Sequence, residues 1–189
     1  MELIRPSGPY LPAYVDALRR GWSPDNLRGE AAIREELEAI AFDPQAFLAR
    51  QDDPEAKAGP VTLPDGSTVP RLPGFHRWLW DGDFCGCIDF RWQPGTTALP
   101  AHCPGHIGYA VVPWKRGRGY GALALGRLLE EVRPLGLEFV ELTAHPANIA
   151  SQKVIVANGG VLVERFTLVP QMGGWESLRY RIYLQAAAL

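Results

Sequence analysis

The stretch PWKRGRGYGALAL, from Pro113 to Leu125, is the part of the sequence with the clearest chemical pattern. It carries three glycines and three basic residues directly before an apolar helix pattern. The first amides of a helix have no partner within the helix and lie at the positive end of its dipole. Glycines let the backbone approach an anion closely and turn its N–H groups toward it. The spacing predicts a phosphate site that would suit a pyrophosphate; a glycine-rich turn with solvated basic side chains is the other interpretation that this stretch alone leaves open.

Three phosphate-binding designs can be compared with this stretch. The Walker pattern needs a lysine and a serine or threonine after its last glycine, but Gly121 is followed by an apolar helix pattern. The dinucleotide fingerprint G-x-G-x-x-A is met by Gly117, Gly119 and Ala122. Pro113 to Arg116 separate that first glycine from the preceding strand pattern, however, and too little chain follows for a doubly wound sheet. A dinucleotide-dependent oxidoreductase is therefore supported by the fingerprint alone.

The third design fits best. Arg116 to Gly121 match the pattern (Q/R)-x-x-G-x-(G/A), which resembles the acetyl-CoA loop of the GNAT superfamily of N-acetyltransferases. The segment LGLEFVELTAHPANIASQKVIVANGG follows at the right distance and resembles that family's next strand and its N-x-x-(A/S) helix. Together with GWSPDN near the start, these segments are similar to a bacterial group of predicted acetyltransferases with unassigned substrate. The strong resemblance covers roughly residues 84 to 165.

The elements that must position these motifs follow from residue periodicity. Helical spacing predicts helices in LPAYVDALRRGW, GEAAIREELEAIAF and DPQAFLAR, and the first sixty residues read as helices and loops. Asp43 is the predicted N-cap of the third helix, with Pro44 at its first position. A hairpin is predicted in FHRWLWDGDFCGCIDFRW, with its turn at Asp81 to Asp83.

Strands and helices alternate in the second half of the chain. The strand segments are HIGYAVV, LEFVELTAH, VLVERFTLV and SLRYRIYLQ. The helix after the glycine stretch has one apolar face, formed by Leu125, Leu128, Leu129 and Val132. A shorter helix begins at Asn148 and ends at Gly159 and Gly160. This order predicts a mixed α/β sandwich around one sheet.

The resemblance makes this fold more specific. It implies an α/β fold with a mixed α+β sheet, the GNAT-like acyl-CoA N-acyltransferase fold, flanked by helices. Its central, mostly antiparallel sheet splays open between two parallel strands, which would be His106 to Val112 and Phe139 to His145. We expect one N-acetyltransferase domain over residues 1–189, with a helical acceptor-side region at 1–60 and an acetyl-CoA-binding core at 84–165.

The resemblance also implies which residues bind acetyl-CoA as cosubstrate. The pantetheine arm would pair with backbone groups of Tyr109, Ala110 and Val111. Amides of the glycine stretch would hold the pyrophosphate, and the residues concerned are Arg116, Gly117, Arg118, Gly119, Tyr120, Gly121 and Ala122. Asn148 matches the family's asparagine, which contacts the pantetheine. It also suits an N-cap, and the two roles are compatible.

The acceptor chemistry needs a base. A free alkylamine has a pKa of about 10.4, so it arrives as an ammonium and must lose a proton before it can attack a thioester. His106 occupies the place near the start of the first splayed strand where family members often carry a carboxylate or similar group. A base at His106 would make the rate rise through a pKa of about 6 to 7. Glu141 and His145, which share one face of the second strand, are the further candidates.

One position departs from the family's common pattern. Many members carry a tyrosine on the helix after the asparagine, where it can protonate the leaving thiolate, and the matching residue is Ile155. No phenol is therefore expected from that helix. This departure supports an alternative function, a CoA-binding sensor or interaction domain that kept the fold without efficient catalysis.

Composition limits the remaining classes. The chain has 189 residues, 47% of them hydrophobic, and a net charge of −2, which gives no overall basic field for nucleic acid or an anionic membrane. Three cysteines do not make a disulfide scaffold and suit a reducing compartment. Neither Cys85 and Cys87 nor the set His102, Cys103 and His106 has the spacing of a four-ligand metal site. No stretch resembles a signal peptide or approaches membrane-spanning length.

The sequence therefore predicts a cytoplasmic, acetyl-CoA-dependent N-acetyltransferase that acts on a primary amine without a metal. The acceptor, a small molecule or a peptide, stays open among amino acids, polyamines, aminoglycosides, peptide N-termini and protein lysines. No nucleic acid or membrane partner is expected. The resemblance allows a homodimer.

Overall fold

The computed structural model describes residues 1–184. Within these residues the α-helices are α1 (Leu11–Arg19), α2 (Glu30–Phe42), α3 (Pro44–Ala49), α4 (Tyr120–Val132) and α5 (Ile149–Ala157). The strands are β1 (Glu2–Ile4), β2 (Asp52–Asp53), β3 (Val61–Thr62), β4 (Thr68–Val69), β5 (Gly74–Trp80), β6 (Phe84–Arg91), β7 (Ile107–Val111), β8 (Phe139–Ala144), β9 (Val161–Thr167) and β10 (Glu176–Tyr183). No helix in this part of the chain is both long enough and apolar enough to span a bilayer.

The strands form two main sheets. One has the order β1-β5-β6-β7 with β2 also paired to β5, and the other has the order β8-β10-β9; β3 and β4 form a separate hairpin. The pairs in both main sheets are antiparallel. The single sheet predicted from the strand pattern is therefore wrong in this respect, because β7 and β8 face each other without a shared ladder. This separation is the splay that the resemblance predicted.

Helix α4 connects β7 to β8 and fills the core between the sheets. Its four predicted apolar positions are all buried, which confirms the helix face read from the sequence. They pack with residues of β6, β8 and β10 in the larger core cluster. The helix ends at Val132, where a short 3-10 turn begins at Arg133 and Gly136 closes it in a left-handed conformation.

The N-terminal helices cover the other face of the five-stranded sheet. Tyr14 of α1 stacks on Trp78 of β5 at 4.6 Å and meets the edge of Phe84 at 5.3 Å. The predicted cap of α3 is confirmed, since Asp43 accepts hydrogen bonds from two backbone N–H groups of the first turn. The expectation of helices and loops alone in the first sixty residues is wrong, because β1 and β2 also lie there. These strands of three and two residues form by pairing with β5 and are too short for a periodic signal.

Candidate functional site

A cavity of about 1260 Å³ lies where the two main sheets separate. Its walls include β7, β8, the glycine stretch, the first turn of α5 and parts of the N-terminal region. Most of the cofactor residues predicted from the sequence line it. Among residues 1–184, the predicted site residues that do not line it are His106, Arg118, Ala122 and Glu141.

The glycine stretch forms the entrance to α4. Gly117 and Gly119 have φ angles of 77° and 75°, in the left-handed region that glycine adopts without a steric cost. Gly119 is the N-cap of α4, and the bond from Leu123 N–H to its carbonyl (3.1 Å) closes the first helical turn. The N–H groups of Tyr120, Gly121 and Ala122 precede that bond and have no i−4 partner inside the helix. The loop therefore presents backbone donors at the positive end of a thirteen-residue helix.

Asp81 braces this loop from the turn between β5 and β6. Its carboxylate accepts from Lys115 Nζ at 2.5 Å and from Tyr120 OH at 2.6 Å. The hydrogen bonds from Lys115 and Tyr120 hold the pKa of Asp81 below its usual range. Because Lys115 is paired, Arg116 and Arg118 carry the remaining positive charge of the stretch, and both are exposed.

The register of β7 determines which of its backbone groups are available. Arg91 N–H bonds to the His106 carbonyl (2.9 Å), and Val112 N–H bonds to the Cys85 carbonyl (3.0 Å). In an antiparallel ladder the bonded residues alternate, so Ala110 also directs its backbone toward β6. Tyr109 and Val111 direct theirs toward the gap.

Two side chains occupy acceptors on this open edge. Asn26 Nδ2 donates to the Tyr109 carbonyl at 3.1 Å, and Arg116 Nε donates to the Val111 carbonyl at 3.2 Å. Asn26 lies within a turn in which Asp25 Oδ1 accepts from the N–H groups of Leu27 and Arg28. The GWSPDN motif thus brings the N-terminal region to the edge of β7.

His106 links the two separated strands. Its backbone N–H donates to the Glu141 carbonyl at 2.7 Å, and its Nδ1 accepts from the Glu141 N–H at 2.9 Å. This bond assigns the ring hydrogen to Nε2, so neither ring nitrogen has a free lone pair for another proton. Burial lowers the pKa of His106 to about 4. This value lies below the pKa of about 6 to 7 expected for a base here, and a catalytic role for His106 stays a prediction.

Glu141 is clamped by arginines of β10. Its carboxylate accepts from Arg179 at 2.7 Å and from Arg181 at 2.7 Å. Burial alone would raise its pKa, but these two partners outweigh burial and hold the pKa below its ordinary value. A carboxylate stabilised in this way is a weak proton acceptor at neutral pH.

His145 follows β8, is exposed, and lines the cavity. Its Nδ1 accepts from the Ala147 N–H at 3.1 Å. Of the three catalytic candidates from the sequence, His145 alone among the described residues reaches the cavity wall. Its role in catalysis stays a prediction.

The first turn of α5 completes the cavity. Asn148 is the N-cap, since its Oδ1 accepts from Ser151 N–H at 3.1 Å, and its Nδ2 is not used by this cap. Ser151 Oγ lies 2.8 Å from Tyr109 OH, which ties β7 to α5. Ile155 is fully buried in the core, so this position offers no polar group to the cavity.

The family model described as the acetyltransferase (GNAT) family matches residues 31–159. The chain belongs to the GNAT acetyltransferase family. No curated protein matches the sequence significantly.

Solved structures share the GNAT fold over nearly the whole chain. The microcin C7 self-immunity acetyltransferase MccE, in complex with acetyl-CoA and AMP, has a TM-score of 0.64 at 13% identity and covers 96% of this chain and 91% of its own. RimL, a ribosomal L7/L12 alpha-N-protein acetyltransferase in complex with CoA, has a TM-score of 0.61 at 12% identity over 96% and 92%. A spermidine N-acetyltransferase chimera, SpeG from Vibrio cholerae with hSSAT, has a TM-score of 0.59 at 10% identity over 97% of both chains. At these identities the likeness shows the fold alone.

A carboxylate with a raised pKa also lines the cavity, from the N-terminal side. Glu36 of α2 accepts a hydrogen bond from Tyr14 OH through its Oε2. Burial raises the pKa of Glu36 to about 7, well above its ordinary value of 4.5. This group can therefore exchange a proton near neutral pH.

Cys85, Cys87 and Cys103 are free and buried. Burial raises the pKa of the Cys85 thiol to about 11, and burial also raises that of Cys87. Across residues 1–184, no three His, Cys, Asp or Glu side chains come together as a metal-binding group.

Three residues of the site were missed by the sequence reasoning. Asp81 was read only as a turn residue, and Asn26 only as part of a motif, because their partners lie far along the chain. Glu36 carried a usable signal. It lies three residues after Ile33 and four before Ile40, so helical spacing places it on the apolar face of α2.

Proposed function

We propose that this protein is an acetyl-CoA-dependent N-acetyltransferase that transfers an acetyl group to a primary amine by direct attack in a ternary complex. One observation carries the proposal: a single cavity joins the open edge of β7 to the free amides that begin α4. A ligand with amides along its length and a pyrophosphate at its end would meet backbone groups along the strand and donors at the helix. Family membership supports the same chemistry.

The structure suggests how the cosubstrate would be held. Tyr109 and Val111 would pair with the pantetheine arm through their backbone, displacing the side chains that now bond there, while Ala110 would contribute to the wall. The pyrophosphate would bind the amides between Arg116 and Ala122, with Arg118 adding charge. The unused Nδ2 of Asn148 would donate to the pantetheine. These assignments use the residues expected from the resemblance, except that Ala110 directs its backbone toward β6 and that Arg118 and Ala122 do not line the cavity.

The reaction balances without a metal or a redox partner. The acceptor arrives as R–NH3⁺ and loses one proton to a base. Its lone pair attacks the thioester carbon, a C–N bond forms, and the C–S bond breaks. The thiolate takes a second proton from the nitrogen, so the products are the N-acetyl amine, CoA thiol and one proton released to water. Because α5 supplies no phenol, this route lets the departing thiolate be protonated by the amine itself or by water.

In one domain, residues 1–189, two different regions would bind the two substrates. The core at 84–165 binds acetyl-CoA, and the region at 1–60 faces the acceptor together with the loop at 93–105. The three free, buried thiols suit a reducing compartment and support a cytoplasmic location.

Two measurements test the proposal. A ligand that binds only the native state stabilises it by about 2.7 kcal/mol at a hundredfold excess over its Kd, so acetyl-CoA and CoA should raise the melting temperature by several degrees while NAD should not. An acetylation screen with free-thiol detection should then compare amino acids, polyamines, aminoglycosides, peptide N-termini and protein lysines. No thermal shift with CoA would overturn the proposal. Binding without turnover on every class would favour the CoA-binding sensor.

A further inference from the structure

Glu36 places a carboxylate on a helix face that is otherwise apolar. Its neighbours on that face, Ile33, Leu37 and Ile40, pack against the aromatic cluster under the N-terminal helices. A carboxylate taken out of water costs free energy unless hydrogen bonds or charges compensate for it. Glu36 also lines the cavity, so a bound ligand can reach it.

One oxygen of this carboxylate is held in place. Tyr14 OH donates to Glu36 Oε2, and the Tyr14 ring is fixed by stacking on Trp78 and by an edge contact with Trp22 at 5.7 Å. Burial, followed by the nearby Glu36 charge, raises the pKa of Tyr14 well above 10, so its phenol stays a donor. Within the described residues, no protein donor bonds to Oε1. Oε1 is therefore the oxygen available to a ligand in the cavity.

The carboxylate lines the same cavity as Tyr109, Ala110 and Val111 of β7. Tyr14 belongs to the same cluster as Cys87 and Ala110, which are direct partners across β6 and β7. The Glu36 charge is the largest electrostatic influence on the buried Cys87 thiol after burial itself. From the adjacent loop, Asn26 reaches the Tyr109 carbonyl on the same strand. Glu36 thus shares a cavity with the part of β7 that the proposed pantetheine arm would follow.

The charges around Glu36 come from four neighbouring elements. Those that affect it are Tyr14 of α1, Asp25 of the loop before α2, Glu35 of its own helix, Arg50 at the end of α3 and, on β6, Cys87. Burial is the largest cause of its raised pKa, Asp25 and Glu35 add to the rise, and the Tyr14 bond and Arg50 oppose it. The balance leaves a carboxylate whose pKa of about 7 suits proton transfer at neutral pH.

We infer that Glu36 is the catalytic base that takes a proton from the acceptor's ammonium group. The inference rests on the proposed function. Oε1 accepts one N–H proton, the neutral nitrogen attacks the thioester carbon, and the leaving thiolate takes a second proton from that nitrogen. Glu36 then returns its proton to water, so every proton is accounted for.

The other candidates are less available for this step. The Nδ1 of His106 already accepts a backbone hydrogen bond, and two arginines hold Glu141 in its ionised form. His145 would have to give up its bond from Ala147 before Nδ1 could accept a proton. Glu36 needs no rearrangement, since Oε2 keeps its bond to Tyr14 while Oε1 reacts.

The test compares Glu36→Gln with Glu38→Gln, a matched control at an exposed position of the same helix. The readouts are the affinity for acetyl-CoA and the pH profile of kcat/KM, measured with n-butylamine and with the best amine of the screen. We expect kcat/KM of Glu36→Gln to fall about a hundredfold or more, and its rise to move from a pKa of about 7 toward the amine's own pKa of about 10.4. Acetyl-CoA affinity should stay unchanged, and Glu38→Gln should behave as the wild type.

The outcomes separate this inference from the proposed function. Normal acetyl-CoA binding with an unchanged pH profile and near-normal rate in Glu36→Gln would overturn the role of Glu36 alone. A wild type that does not bind acetyl-CoA would overturn the proposed function. If acetyl-CoA binds but every amine fails, the proposed transfer and the role of Glu36 as its base are both overturned. Where an amine is turned over, a carboxyl-carbon NMR titration of the acetyl-CoA-loaded protein adds a second readout. A glutamate signal that titrates near neutral pH and is lost in Glu36→Gln supports the inference, whereas titration at the ordinary value of about 4.3 overturns it.

Discussion

His106 is the residue that joins the two sheets where they begin to separate. Both of its bonds go to the backbone of Glu141, so a single side chain and its own N–H connect β7 to β8. The Nδ1 bond requires a neutral ring, and the low pKa keeps the ring neutral at physiological pH. These contacts make His106 a positioning residue for the splay, and they specify how its replacement should behave.

Two replacements of His106 distinguish the contribution of its hydrogen bond from the contribution of its ring. His106→Ala leaves the buried Glu141 N–H without an acceptor, which should lower the free energy of unfolding by about 1–3 kcal/mol. His106→Asn can offer an oxygen near the place of Nδ1 and should lose less. Urea unfolding of both variants checks this expectation. Equal losses would mean that the bond contributes little, and a lost pH limb with normal stability in both would restore His106 as the base.

We expect Asp81 to stabilise the folded protein through its ion pair with Lys115. Asp81→Asn removes the carboxylate that pairs a lysine whose side chain is only 11% exposed, leaving that charge without its main partner. We expect the free energy of unfolding to fall by about 1–3 kcal/mol. The control is Asp83→Asn, since Asp83 lies 3.8 Å from the same nitrogen but is 61% exposed. Chemical denaturation should show a lower free energy of unfolding for Asp81→Asn alone. Equal losses in the two variants would contradict a stabilising role for the Asp81–Lys115 pair.

Two glycine substitutions can distinguish the start of α4 from an ordinary glycine turn. Gly119 and Gly136 have φ angles of 75° and 73°, and neither has a neighbour within 4 Å of an added Cβ. Alanine at either position should cost about 1–2 kcal/mol of backbone strain. Only Gly119→Ala should also weaken CoA binding, because only this glycine lies in the predicted phosphate loop. Isothermal titration with CoA would contradict the loop assignment if the two variants bound equally well.

The sequence predicted those elements whose signal is local. The hairpin around Asp81 to Asp83, the apolar face of α4 and the cap at Asn148 each depend on residues within a few positions of one another, and the structure confirms them. The separation of β7 from β8 depends on bonds that do not form, and the short strand β1 exists only through pairing with β5. No local pattern encodes either feature.

The residues of the candidate site were likewise predictable only where their signal is local. The glycine pattern and the family motifs indicated the loop, β7 and Asn148 because these lie close together in sequence. Helical spacing places Glu36 on the apolar face of α2, but only the fold shows that Glu36 lines the cavity. The bonds of His106 to Glu141, over thirty-five positions, were likewise beyond any motif.

For the molecule as a whole, three buried groups set how stability depends on pH. Burial lowers the pKa of His76 and of His106 to about 4, and burial raises that of Glu36 to about 7. Unfolding returns them to their ordinary values of 6.5 and 4.5. Between these two values the unfolded chain binds two histidine protons that the folded chain lacks, while the folded chain binds one proton on Glu36. The unfolded state therefore binds one proton more.

This balance predicts that stability rises up to about pH 6.5 and then levels off, because the unfolded chain loses its histidine protons over nearly the same pH range in which the folded chain loses the Glu36 proton. Below that value, the free energy of unfolding should rise with pH by about 1.4 kcal/mol per pH unit. Glu36→Gln removes the opposing proton, so this slope should roughly double. His76→Gln, the matched control, should make the lower slope nearly flat. Urea unfolding at several pH values from about 5 to 8 measures all three proteins. Identical slopes in the wild type and Glu36→Gln would mean that Glu36 titrates alike in both states, and that its carboxyl is in contact with water in the folded protein.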